Sequence, residues 1–185
     1  MLGAAPYGQR RRPIGPYQSK SPLDIAWRVT WPYFITTILA IMMILCTLLI
    51  GALEIASLSK STSTALYGNT SSTGAGIWCG FFFSIACILI LLINYMPHVR
   101  LWATIAFIAS IIAVCFAIIL IGLDSKAIQD GRAYNSLPVK TQILCAQLAF
   151  SIVELLLCFV YIGIYIAVVI LAPSRIRRTP RVFVR

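Results

Sequence analysis

Glu154 is the residue whose placement first asks for chemistry. It stands in Ile152-Val153-Glu154-Leu155-Leu156-Leu157-Cys158, inside an apolar stretch long enough to cross a bilayer. An acidic residue at a helix centre costs about 2.5–3.5 kcal/mol on the insertion scale, which Leu, Ile, Val and Phe at about −0.3 to −0.6 each can offset. Two roles suit such a group. It could titrate on an ion or proton path, or it could be a neutral acid donating a hydrogen bond to a neighbouring helix. The second is simpler and is preferred. Counting inward from the span ends puts Thr47, Ser84 and Ser110 near its depth, with Ser84 the first expected partner and Thr47 or Ser110 next.

The other reactive residue types form no constellation. Six cysteines (Cys46, Cys79, Cys87, Cys115, Cys145 and Cys158) lie in or beside apolar stretches, with no CxxC pair and no histidine among them. That spacing disfavours zinc, and most read as small packing residues. Cys79 and Cys145 both fall near the outer membrane face, where a disulfide is chemically allowed. His98, the single histidine, reads as a headgroup contact. Asn69-Thr70-Ser71 is a glycosylation acceptor if its loop faces the lumen or the cell exterior. No catalytic, cofactor-binding or metal-binding set is found, so no enzyme activity and no cofactor are expected.

The elements that carry these residues are spans. The chain has 185 residues, 60% hydrophobic and 11% charged, with a mean hydropathy of +0.92. A soluble domain of this size would need far more charge on its surface. Four apolar stretches, at about 33–53, 77–96, 101–123 and 143–172, predict an all-α membrane protein, a bundle of four transmembrane helices with short loops. Residues 1–30 predict a disordered basic tail, 31–173 the transmembrane domain and 174–185 a second basic tail. Leu23 to Trp31 suggests a short interfacial helix with Trp27 and Trp31 at headgroup level. Glu54 falls at the far end of the first span, where it can stay hydrated. Pro173 is expected to close the fourth span.

The net charge of +10 resides mainly in the tails, without a basic stripe interleaved with aromatics, which argues for anionic lipid headgroups and against nucleic acid. The tails and the short 97–100 hairpin carry eleven Lys and Arg residues, and the two longer loops carry four. By the positive-inside rule both termini are cytoplasmic, in the plasma membrane or an endomembrane.

Helices in lipid associate through close backbone approach and interhelical hydrogen bonds. Gly76, Gly80 and Ser84 repeat every four residues on the second span, a face suited to packing within the bundle or to a dimer contact, packing being preferred. Ala103, Ala106, Ser110, Ala113 and Ala117 form a seam with alternating steps of three and four on the third, read as intramolecular packing.

Gly76-Ile77-Trp78-Cys79-Gly80-Phe81-Phe82-Phe83-Ser84-Ile85-Ala86 resembles the second-span signature of the membrane-spanning four-domain family, subfamily A, which includes the B-lymphocyte surface antigen. The stretch around Glu154 is similar to the Glu-bearing pattern of that family's fourth span. The first span matches poorly, and the second loop lacks the cysteine pair that some members carry. The resemblance implies a non-enzymatic four-helix protein that forms homodimers or hetero-oligomers and associates with receptors or channels. Two alternatives stand beside this adaptor reading: a channel or transporter subunit using Glu154, and a four-helix lipid-associated vesicle-trafficking protein. A tetraspanin would need a large outer loop with Cys-Cys-Gly, and a claudin a longer first loop with two cysteines.

Overall fold

The computed structural model describes residues 22–59, 74–133 and 138–178. Five helices follow in order: α1 (Pro22–Thr30), α2 (Tyr33–Ser59), α3 (Ala75–Leu92), α4 (Val99–Ala133) and α5 (Pro138–Arg178). The last four are each long and apolar enough to cross a membrane, which makes the chain an integral, multi-pass membrane protein of all-α four-helix-bundle fold.

The helices pack in a ring. α2 lies against α3, α3 against α4, α4 against α5, and α5 closes the ring on α2. This is an up-down-up-down bundle: the start of α2 and the end of α5 lie at one end of it, the termini end, and the end of α2, the start of α3, the end of α4 and the start of α5 lie at the other, the loop end. The α3–α4 hairpin turns at the termini end, where Asn94 Nδ2 donates to Thr37 Oγ1 at 2.7 Å and ties the turn to the start of α2.

Each helix presents its buried residues in alternating steps of three and four, the spacing that keeps one stripe facing near-antiparallel neighbours. On α4 the stripe runs Val99, Ala103, Ala106, Ser110, Ala113, Ala117, Leu120, Asp124 and Ile128, all buried. Small residues bring α4 close to its neighbours, and Phe82 stacks on Phe116 at 3.9 Å between ring centroids. The outward faces carry large apolar side chains such as Phe34, Leu48, Trp78, Phe81 and Ile170, as lipid requires.

Four expectations are corrected here. Residues 22–30 of the supposed disordered tail fold as α1, close to the short helix expected from Leu23 to Trp31, and α1 lies across α5 and α4 with Trp27 and the following Trp31 buried against the bundle. Stacking gain explains the burial. Trp27 stacks on Trp31 at 6.1 Å, and the pair packs on Tyr165 and Tyr161 at 5.8 and 6.4 Å. α3 stops at Leu92, short of Met96, with the backbone turning through 93–95. α4 runs on to Ala133 through much of the expected polar loop, and α5 continues through Pro173 to Arg178. Proline removes one helical N–H so close to the end of α5 that only a single turn follows it.

Residues 1–21, the Asn69 acceptor, the 60–73 loop and the tail beyond Arg178 lie outside the described residues.

Candidate functional site

The inward stripe of α5 is where polarity gathers. It runs Leu144, Gln147, Ser151, Glu154, Cys158, Tyr161, Tyr165, Val168 and Ala172. Six consecutive stripe positions, Gln147 to Tyr165, bear a polar or ionisable side chain, each buried except the half-buried Tyr165. The neighbours organise these residues into three layers.

At the loop end, Gln147 Nε2 donates to Glu54 Oε2 at 2.9 Å, a bond between residues 93 positions apart. Gly76 makes this bond possible. A Cβ on Gly76 would sit 2.9 Å from Gln147 Nε2, 3.0 Å from Glu54 Oε2 and 3.1 Å from Glu54 Cβ. The α3 backbone is thus pressed against the polar pair, reaching across the ring to α5. Asp124 on α4 is buried within electrostatic range of Glu54, and Ser57 is buried one turn further along α2. Glu54 Oε1, Asp124 Oδ2, Gln147 Oε1 and Ser57 Oγ are buried with no hydrogen-bond partner. Glu54, expected to stay hydrated, is therefore an interior residue. Its helix extends to Ser59, one turn and more beyond the expected end, and that extension carries it inward against α5.

Interhelical bonds set the register of the middle layer. Stepping seven residues from the Glu54–Gln147 bond along the antiparallel pair brings Thr47 level with Glu154, about 10.5 Å deeper. Tyr161 OH donates to Ala103 O at 3.2 Å, and stepping seven from there brings Ser110 level with Glu154 as well. The Asn94–Thr37 bond sets Ser84 at about the same depth. Glu154 is fully buried and points into the bundle. The expected hydrogen bond is nevertheless absent, because both carboxyl oxygens of Glu154 lack a partner. Each hydroxyl instead turns to its own helix. Thr47 donates to Met43 O at 2.9 Å, Ser84 to Gly80 O at 2.8 Å and Ser110 to Ala106 O at 2.8 Å. A carbonyl one turn back is always in reach of Ser or Thr, whereas a partner across the bundle needs exact rotation of two helices. The buried thiols of Cys46, Cys87 and Cys158 all lie within electrostatic range of Glu154.

At the termini end the stripe closes with aromatics. Tyr165 OH lies 3.0 Å from Thr104 Oγ1, and its ring stacks on Phe107 at 4.4 Å. Trp27 of α1 and Trp31 just after it cover this layer.

Gly80 is buried, but a Cβ there would lie 3.8 Å from Thr47 Cγ2, an ordinary contact. Close approach therefore belongs to Gly76, and Ser84 is half-buried. Ala103, Ala106, Ser110, Ala113 and Ala117 are all fully buried. Cys79 and Cys145 do not form the disulfide considered above. Both are free thiols, Cys79 buried with its Sγ 3.6 Å from Phe116 O and Cys145 exposed on the outer side of α5. Their helices place them on opposite faces. Among the described residues, no group of His, Cys, Asp and Glu is arranged to hold a metal ion.

Sequence reasoning missed Glu54, Asp124, Gln147 and Ser151 as interior residues. The signal existed on α5, where 147, 151, 154, 158, 161 and 165 alternate steps of four and three. For Glu54 and Asp124 there was none, since each sits where an apolar stretch gives way to polar sequence.

Comparison with protein-family models, with curated proteins and with solved structures finds no match to this chain.

Proposed function

We propose that the protein is a non-enzymatic accessory subunit of the membrane that associates with itself and with a receptor or channel through helix faces. The observation that carries this reading is the division of labour on α3. Gly76, Cys79, Gly80 and Phe83 face inward, which occupies the small-residue face within the protomer. Ile77, Trp78, Phe81, Ile85 and Ile88 face outward. A partner in the membrane would meet this aromatic ridge, where Trp78 and Phe81 offer large rigid contact area at low entropic cost. The resemblance of the 76–86 and 152–158 stretches to the membrane-spanning four-domain family supports the same role. With eleven of fifteen Lys and Arg residues in the tails and hairpin, both termini are cytoplasmic and both tails contact anionic headgroups.

Site-specific photo-cross-linkers at Trp78 and Phe81, compared with Ile152 and Phe159 on α5, test the reading in native membranes. Protein adducts are expected from the α3 positions. Adducts with lipid alone at all four would overturn it. Thiol labelling of engineered tail positions in intact cells tests the orientation, since labelling of a tail from outside would reverse it.

A second reading, movement of an ion through the bundle, is favoured by the three carboxyl groups buried on its inner face.

A further inference from the structure

Three of the chain's five acidic residues, Glu54, Asp124 and Glu154, are buried inside the bundle. Among the described residues the buried polar set contains no Lys, Arg or His. Three unbalanced anions at such sites would each cost several kcal/mol, so a positive species must accompany them. A hard metal ion takes six or more oxygen ligands. The middle layer offers the two oxygens of Glu154 amid the thiols of Cys46, Cys87 and Cys158, and the nearby hydroxyls already donate along their own helices. A proton needs one free carboxyl oxygen. Each of the three groups has one: Glu54 Oε1, Asp124 Oδ2 and either oxygen of Glu154.

We propose that the inward stripe of α5 is a proton-binding line, with one station at Glu54, Asp124 and Gln147 and a second at Glu154. The stations are seven residues apart, about 10.5 Å, and Ser151 lies on the same stripe midway between them. Loading either station forms one O–H bond on a carboxylate and converts a hydronium ion to water, and no electrons move. The titratable groups within electrostatic range of Glu154 are Cys46 from α2, Cys87 from α3 and Cys158 on α5 itself, while Cys79 from α3 lies within range of Glu54 and Asp124. The line deepens the ion reading above by naming the ion, and proton binding does not itself require net transport.

The test uses the full chain in liposomes and a hydrophobic carbodiimide, which adds to carboxyl groups in their protonated form. Glu154 is expected to be modified, with labelling falling about tenfold per pH unit once the ionised form dominates. Infrared difference spectra between low and high pH should contain carboxylic-acid absorption that moves in deuterium oxide, with one component lost in Glu154→Gln and the remainder lost when Glu54→Gln and Asp124→Asn are added. Glu154→Gln keeps the shape of the side chain, and its thermal melt reports folding separately. Labelling at Glu154 that is absent or independent of pH, or an acid band left wholly unchanged by Glu154→Gln in folded protein, would overturn the proposal. A trapped pH dye separates this from the ion reading. pH-dependent labelling without flux keeps the proton line and removes transport, whereas flux that persists in Glu154→Gln keeps transport and removes the line.

Discussion

Gly76→Ala places one methyl group at the most crowded point between helices. The added Cβ would stand 2.9 Å from Gln147 Nε2 and 3.0 Å from Glu54 Oε2, several tenths of an ångström inside ordinary contact. Neither atom can retreat freely, because the two are bonded to each other at 2.9 Å and buried on all sides. Either α3 moves away or the bond breaks. Moving α3 is an overpacking strain of about 1–3 kcal/mol. Breaking the bond loses about 0.6 kcal/mol on the scale measured within membranes and leaves further buried polar atoms unpaired, at about 1–3 kcal/mol. Replacing glycine within a helix returns about 0.5–1 kcal/mol. The net expectation is a loss of about 0–2.5 kcal/mol. Gly80→Ala is the internal control, since its Cβ would meet Thr47 Cγ2 at 3.8 Å, and it should gain up to about 0.5–1 kcal/mol from helix propensity alone. Equilibrium unfolding in mixed detergent micelles with increasing denaturing detergent measures both. A double-mutant cycle adds Gln147→Ala, which removes the amide the methyl group collides with, so the cost of Gly76→Ala should shrink in that background. If Gly76→Ala proved as mild as Gly80→Ala or milder, the tight contact between α3 and the polar pair would be wrong.

Glu154→Leu removes two unpaired buried oxygens and fits a similar volume, so it should stabilise the bundle by about 1–3 kcal/mol in the same unfolding assay while removing the carbodiimide adduct at position 154. A loss of stability would mean that the carboxyl makes bonds the structure does not contain. Trp31→Ala leaves a cavity between α1, Tyr161 and Trp27, and large-to-small changes of this type cost about 3–5 kcal/mol; near-native stability would show α1 to be loosely attached. An apolar maleimide should label exposed Cys145 on native protein and spare buried Cys79 until the bundle unfolds, and equal rates at the two would contradict their placement on opposite faces.

The existence of the four spans was decided by the sequence alone, because membrane insertion sums local transfer energies over about 20 residues and needs no partner. The alternating three- and four-residue seam of α4, from Ala103 to Ala117, was legible for the same reason, since the small residues and their spacing lie on one helix. The depth of Glu154 relative to Thr47, Ser84 and Ser110 could be counted from span ends, as rise per residue is fixed. Its bonding could not, because that depends on how two helices rotate about their axes, and the hydroxyls found nearer acceptors one turn back along their own backbones. Glu54, Asp124, Trp27 and Trp31 looked like boundary residues in the sequence and became interior ones in the structure. Each sits at the edge of an apolar stretch, where local hydropathy is neutral, and its burial follows from helices that extend past that stretch or from a chain that folds back on it. Only the tertiary structure could bring Glu54 to Gln147 and set Gly76 against them both, since that contact joins three helices and no local pattern encodes it.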